Sequence, residues 1–151
     1  MNDNDIMLEN YYLKSLFRTN KDDLEYLKKI EHNENSMTYF DTLTVYIGRK
    51  NAYIIQKKEE NIGFLVIAND AYFKEEGNTK EIYIIIDEEH QNLGLGTSVL
   101  SEATDYLLTL DEVDNVIISP FNKKTIALAL NVGYEEYDGF KLIKRKRKRS
   151  R

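Results

Sequence analysis

The sequence predicts a mixed α/β fold, a sheet of about seven strands flanked by about four helices, and three observations predict it. Short β-branched runs alternate with segments of helical periodicity. One run, Glu81 to Asp87, is apolar almost without interruption, as a strand covered on both faces is. That run leads through a turn with two glycines, Gln91 to Thr97, directly into an apolar helical stripe at Leu95, Val99, Leu100, Ala103, Leu107 and Leu108.

The elements follow in order. Residues 11–18 alternate enough for a strand, with Tyr12, Leu13, Leu16 and Phe17 as its apolar contacts. Asn20 reads as a helix N-cap, with Asp22 and Asp23 in the first turn and Leu24, Leu27 and Ile30 on one face. After a polar break, residues 37–47 carry Tyr39, Phe40, Leu43 and Tyr46 or Ile47 at helical spacing and are assigned to a second short helix, against the preference of Thr42, Thr44 and Val45. Residues 51–57 and 61–68 form a hairpin across the charged turn Lys58, Glu59 and Glu60. Gly77 and Asn78 mark a turn before the apolar strand, and the long helix after the glycine turn ends near Thr109. Residues 115–119 are a short strand broken by Pro120, and residues 122–131 a helix ending at Gly133. Residues 134–137 and 140–145 close a second hairpin around Asp138 and Gly139. The order is β-α-α-β-β-β-α-β-α-β-β.

The length of 151 residues suits one domain, residues 1–146, followed by a basic tail at 147–151. Without Cys there is no thiolate chemistry, and two widely spaced His give no metal-ligand spacing, so metal-free chemistry is expected. The N-terminal stretch lacks the basic start and apolar core of a signal peptide, and no apolar run reaches membrane-spanning length, so a cytoplasmic location is expected. All 26 acidic residues precede Lys141, whereas 8 of the 21 basic residues lie from Lys141 onward, leaving −13 in the body and +8 in the tail. An acidic body favours a cationic partner, and a basic tail suits nucleic acid, ribosome or anionic lipid, or is simply solvated.

The glycine turn has the composition of an anion site. Its glycines permit a tight turn and close backbone approach, while the first N–H groups of the helix lack internal partners and carry the positive end of its dipole. A phosphate fits there. A dinucleotide-binding turn would need a third glycine and a preceding helix and strand series, which the chain lacks.

The motif Gln91-Asn-Leu-Gly94-Leu-Gly96, set between strand and helix, resembles the signature of the GNAT superfamily of acyl-CoA N-acyltransferases. A second block, Asn122-Lys-Lys-Thr125 continuing to Gly133-Tyr134, also resembles that family, and the element order matches over residues 11–146. The resemblance implies a mixed, mostly antiparallel sheet and acetyl-CoA as co-substrate. It implies that the turn Gln91, Asn92, Leu93, Gly94, Leu95, Gly96 and Thr97 holds the pyrophosphate. It further implies that backbone near Ile84 and Ile86 pairs with the pantetheine arm, that Asn122 bonds the same arm, and that the Ile86 N–H stabilises the oxyanion.

Acetyl transfer to an amine needs a base for the amine, oxyanion stabilisation and a proton for the departing thiolate. By resemblance Glu81 is the base; a carboxylate beside the apolar run suits that role if its pKa is raised. By the same resemblance His90 occupies a position usually filled by Tyr, Trp or His that packs near the loop. The family often carries the acid, a Tyr, seven residues after the Asn of the second block, where this chain has Ala129. The proton then comes from another hydroxyl, Tyr137 foremost, with Tyr83 and Ser119 as alternatives, or from water; otherwise the protein binds acyl-CoA without turnover. Tyr134 is expected to pack in the sheet. The acceptor is a primary amine of a small molecule or protein, attracted by carboxylates such as Asp22, Asp23, Glu25, Glu31, Glu34, Asp41 and Asp138. Tyr39, Phe40, Tyr46 and Tyr72 are candidate pocket aromatics, and the chain is expected as monomer or homodimer, without a membrane partner.

Overall fold

The computed structural model describes residues 3–31, 36–38, 42–69, 77–91, 93–139 and 141–146. Its elements are β1 (Ile6–Met7), β2 (Tyr12–Ser15), α1 (Lys21–Ile30), β3 (Ala52–Lys57), β4 (Glu60–Asn69), β5 (Thr79–Ile86), α2 (Leu95–Thr109), β6 (Asn115–Ile118), α3 (Lys123–Val132), β7 (Glu135–Asp138) and β8 (Lys141–Arg145). The strands form one sheet in the order β1-β2-β3-β4-β5-β6-β8-β7. Every neighbouring pair is antiparallel except β5 and β6. A parallel pair needs a crossover, and α2 supplies it.

Strand β5 sits at the centre because its residues can be buried on both sides. Ile82, Ile84 and Ile86 face α2 and α3, packing with Val99, Leu100, Ala103, Leu107 and Ala129. Ile85 faces the other way, toward α1, with Phe64, Val66, Leu27, Ile30 and Leu43. Each fully buried isoleucine contributes about 1.5–3 kcal/mol relative to exposure. Helix α1 starts at the expected cap: Asn20 Oδ1 accepts from the Asp23 N–H at 2.9 Å and Asp23 Oδ2 accepts from the Asn20 N–H at 3.1 Å. Such caps are worth about 1 kcal/mol each.

Two expectations are corrected. The second helix is absent among the described residues of 37–47: the chain makes a single 3-10 turn, Thr44–Tyr46, and Val45 there is 58% exposed. Leu43 is fully buried against α1 and β4 from an irregular segment, so the apolar spacing records a loop plugging the core, with β-branched residues opposing the helix. Tyr39, Phe40 and Asp41 lie outside the described residues. An additional strand, β1, pairs with β2 through Ile6 and Leu13, and two residues are too few to show a period. The described fold therefore has eight strands and three α-helices.

Part of the basic C-terminal region is built into the fold. Lys144 Nζ donates to the Val132 carbonyl at 2.9 Å, Lys146 Nζ to the Leu110 carbonyl at 2.8 Å, and Arg145 lies 3.6 Å from Glu135. Residues 147–151, the expected tail, lie outside the described residues. Among the described residues no helix is long and apolar enough to cross a membrane.

The hairpin between β3 and β4 has the two-residue loop Lys58 and Glu59, both at positive φ (49° and 67°), between Lys57 and its partner Glu60. That is the backbone of a type I′ turn, which Asn-Gly adopts with least strain. Replacing Lys58→Asn together with Glu59→Gly should stabilise the protein by about 1 kcal/mol, read as a higher urea midpoint at unchanged slope; a lower midpoint would show that the two side chains contribute more than the strain costs.

Candidate functional site

A cleft of about 430 Å³ opens where β5 ends. One wall is the β5 to α2 connection, with Ile86, His90, Gln91, Gly94, Leu95, Gly96 and Thr97; the other is the start of α3, with Asn122, Lys124, Thr125 and Leu128; Met37 closes it. Gly94 caps α2 at φ 75°, a left-handed conformation, and no side chain caps the helix. The first N–H groups of α2 are therefore available to a ligand at the positive end of the dipole. Asn122 caps α3, its Oδ1 accepting from the Thr125 N–H at 2.8 Å and from Thr125 Oγ1 at 2.9 Å. Two helix N-termini and the exposed Lys124 thus face one cavity, an arrangement suited to an anion.

Of the residues expected at the turn, Gln91, Gly94, Leu95, Gly96 and Thr97 line the cleft together with Ile86 and Asn122. Leu93 is 66% exposed beside it, and Asn92 lies outside the described residues. The Gln91 side chain turns back, its Nε2 donating to the Ile86 carbonyl at 2.9 Å, and pins the turn to the strand end. Gly96 lies close to Met37: a Cβ there would sit 2.9 Å from Met37 Sδ, so the methionine side chain would have to shift.

The sheet opens beside this cleft. Parallel pairing of β5 with β6 runs from Thr79 opposite Asn115 to Ile82 opposite Ile118 and goes no further, although β5 continues to Ile86. Pro120, which has no N–H, follows β6 by two residues. A three-residue segment, Ser36 to Thr38, lies across the opening. The Ile84 N–H donates to Thr38 Oγ1 at 3.0 Å, the Phe121 N–H to the Met37 carbonyl at 2.9 Å, and Asn122 Nδ2 to the Ser36 carbonyl at 3.2 Å. Groups of Ile84 and Asn122 expected to meet a ligand are thus held by this strap. Sequence reading missed the strap, and of the block Asn122-Lys-Lys-Thr125 it assigned only Asn122 to the site, whereas Lys124 and Thr125 also line the cleft.

Glu81 is the third residue of β5 and only 4% exposed, where the apolar run had placed it at the strand start. Its carboxylate accepts from Ser119 Oγ at 2.9 Å and lies 3.8 Å from Lys141 Nζ, which itself donates to Ser119 Oγ at 2.9 Å. Tyr137 stands apart from the cleft lining, at a bulge of β7 opposite β8, with the Arg145 guanidinium 5.9 Å from its ring centroid. Ala129 is fully buried in the core against α2. Tyr134 is buried, as expected, its hydroxyl 2.7 Å from Thr104 Oγ1, and its pKa is pushed up by desolvation.

The profile of the acetyltransferase (GNAT) family matches residues 11–134. The chain belongs to the GNAT acetyltransferase family. Among solved structures, a GNAT acetyltransferase from Bacillus anthracis is 14% identical at a TM-score of 0.70, covering 94% of this chain and 98% of that one. An acetyltransferase from Agrobacterium tumefaciens is 18% identical at 0.66, covering 95% and 94%. A mutant spermidine N-acetyltransferase from Vibrio cholerae is 17% identical at 0.65, covering 91% and 94%. At these identities the likeness is one of fold. No curated protein sequence matches.

In this GNAT chain the glycine turn is braced by a buried network. Asp87, 3% exposed, caps the 3-10 turn Glu88–His90. Tyr26 Oη of α1 donates to Asp87 Oδ2 at 2.6 Å, His90 Nδ1 lies 2.5 Å from Asp87 Oδ1, and His90 Nε2 lies 2.8 Å from Glu60 Oε1. Lys29 and Glu89 pair at 2.7 Å beside them. Burial works against the His90 imidazolium, but hydrogen bonds to Asp87 and Glu60 outweigh it, and the His90 pKa rises above its ordinary 6.5. Burial, then Asp87, raise the Tyr26 pKa, so Tyr26 stays a neutral donor.

Because the folded pKa of His90 is the higher one, its stabilisation is full below the unfolded value and fades as pH rises through the folded value. His90→Gln should thus lower Tm most in acid, with the gap to wild type narrowing as pH is raised from below the ordinary 6.5 to well above it. A gap constant across that range would mean His90 is not charged in this network.

Proposed function

We propose that this protein transfers an acetyl group from acetyl-CoA to a primary amine of a small molecule or protein. The observation that carries the reading is the uncapped α2 N-terminus at Gly94, which shares its cleft with the start of α3 and with Lys124. Backbone N–H groups from Gln91 to Thr97, with Asn92 and Leu93 completing the turn, would hold the pyrophosphate. The residues fit such a group: Gly96 leaves backbone open where a side chain would intrude, and the surrounding charge of Lys124 and His90 is favourable to phosphate.

Acetyl-CoA, when bound, supplies the activated thioester. The opening beside β5 offers the lane for its arm, since Ile86 to Ile82 spans about 13 Å of extended strand, from the cleft to the vertex where β6 begins to pair. Ile84 and Asn122 would bond the arm and Ile86 N–H would face the oxyanion. Glu81 at the vertex would take the proton from the attacking amine. Tyr137 on β7, Tyr83 on β5, Ser119 beside Glu81, or water would supply the proton for the sulfur.

A second reading, an acyl-CoA-binding module without turnover, is favoured by the buried Ala129, which removes the usual acid. One experiment separates the two. Gly96→Asp should lower coenzyme A affinity at least about 100-fold by placing like charge at the phosphates. Glu81→Gln should leave affinity intact while turnover with acetyl-CoA and an amine panel falls about 100-fold or more. Tight binding by wild type with no thiol released above blank hydrolysis would select the second reading.

The strap has to leave its bonds for the arm to take them. Thr38→Val removes the hydroxyl that satisfies Ile84 and so weakens the strapped state by about 1 kcal/mol. Coenzyme A affinity should rise about three- to tenfold by calorimetry; an unchanged or weaker affinity would show that the strap and the arm do not compete.

A further inference from the structure

We propose, resting on the acetyl-transfer reading, that Ser119 is the general acid of this protein and that Lys141 positions it. Three side chains from three strands or their ends meet at the vertex of the opening. Glu81 pairs with Ile117 across β5 and β6; Ser119 follows Ile117 by two residues, and Lys141 precedes by two the Ile143 that pairs with Ile117. A spacing of two keeps a side chain on one face of a sheet, and all three converge on the face away from α2 and α3. Ser119 is the residue directly after the last one that β6 pairs with β5, partly exposed where Glu81 is buried.

The hydrogen bonds fix a direction. Lys141 Nζ can only donate, and it donates to Ser119 Oγ at 2.9 Å; Ser119 in turn donates to Glu81 Oε2 at 2.9 Å. Lys141 therefore occupies an acceptor site of Ser119 and leaves its single hydrogen to point forward. With the substrate amine attacking the thioester carbonyl, Glu81 Oε2 takes the amine proton. The hydrogen between Glu81 and Ser119 is then supplied from Glu81, and the hydroxyl hydrogen of Ser119 is freed to turn toward the sulfur. When the carbon–sulfur bond breaks, the sulfur keeps the bonding pair and receives the Ser119 hydrogen, while Glu81 returns its proton to Ser119 Oγ. The amine has lost one proton, the thiol has gained one, and the Glu81, Ser119 and Lys141 set is restored without a further donor. The vertex thereby performs both base and acid steps through one chain of hydrogen bonds, and no phenol on α3 is needed.

The test uses the full chain with acetyl-CoA and an accepted amine, following thiol release in mixtures of light and heavy water. Ser119→Ala should lower kcat about 100-fold with coenzyme A affinity unchanged, and Ser119→Thr, which keeps a hydroxyl, should recover most of the loss. The wild-type rate should curve with deuterium fraction, as two protons in flight require, and the Ser119→Ala rate should become linear. Lys141→Met should lower kcat with the KM for acetyl-CoA unmoved, and Lys141→Arg should restore it. Ser119→Ala turning over within about threefold of wild type, or a loss confined to Tyr137→Phe, overturns the proposal. Should wild type bind coenzyme A and acetylate no amine, the acetyl-transfer reading falls with it; an active wild type indifferent to Ser119 removes the Ser119 role alone.

Discussion

Pairing between β5 and β6 stops at Ile82 and Ile118 while β5 runs on to Ile86, and the rest of the molecule is arranged around that interruption. A buried strand with a free edge leaves backbone donors and acceptors without partners, at a cost of about 1–3 kcal/mol for each group left unsatisfied. The interruption survives because Pro120 has no N–H to offer the ladder and because the strap at Ser36 to Thr38 satisfies what β6 abandons. Thr38 is fully buried and bonds Ile84 from outside the sheet. A gap in a sheet is thus both a structural debt and a lane for an extended ligand, and any ligand that enters must match the bonds the strap already makes.

The cleft at the upper end of this lane owes its shape to charge as well as to glycine. Gly94 sets the backbone for an uncapped helix start, but the direction in which α2 departs is held by Asp87, which ties α1 through Tyr26, the turn through His90, and β4 through Asp87 N–H to the Ile62 carbonyl at 2.9 Å. One buried residue, its carboxylate holding α1 and the turn and its backbone N–H holding β4, fixes three elements beside the start of α2. Of the groups lining the cleft, His90 is held between two carboxylates, Asp87 and Glu60, which offset the charge it brings to the helix start.

Much of this was legible in the sequence wherever a pattern was local. The capping residue Asn20, the alternation of β3 and β4, the isoleucines of β5, the glycine turn, Asn122 and Gly133 each act within a few residues, and the structure places each element within one to a few residues of where the pattern set it. What was not legible depended on partners far along the chain. Thr38 meets Ile84 across 46 residues and Asn122 meets Ser36 across 86; no periodicity encodes such a contact. The same cause produced the missing helix: Leu43 and Tyr46 keep helical spacing because both reach one core, and the backbone between them obeys Thr44 and Val45. Glu81 seemed to open its strand because apolarity begins there, yet Thr79 and Lys80 pair as well, through backbone that pattern reading does not see. The role of His90 as a bridge was hidden because only Asp87, the cap of its own turn, is local, whereas Glu60 lies 30 residues away.

Ala129 joins these threads. It is fully buried in the core cluster that also holds Val99, Leu100, Ala103 and Leu107 of α2, so a phenol there would have to displace core packing. Small volume at this position therefore favours close approach of α2 and α3, the two helices whose starts share the cleft. A helix-borne acid and a tight helix pair compete for the same space. The sheet offers the alternative, because register fixes a side chain at the end of β6 as firmly as packing fixes one on a helix, and the vertex already holds a hydroxyl between an ammonium and a carboxylate. On the proposed reading, binding would rest on the helix termini and proton handling on the sheet, so that either could be tuned without repacking the other.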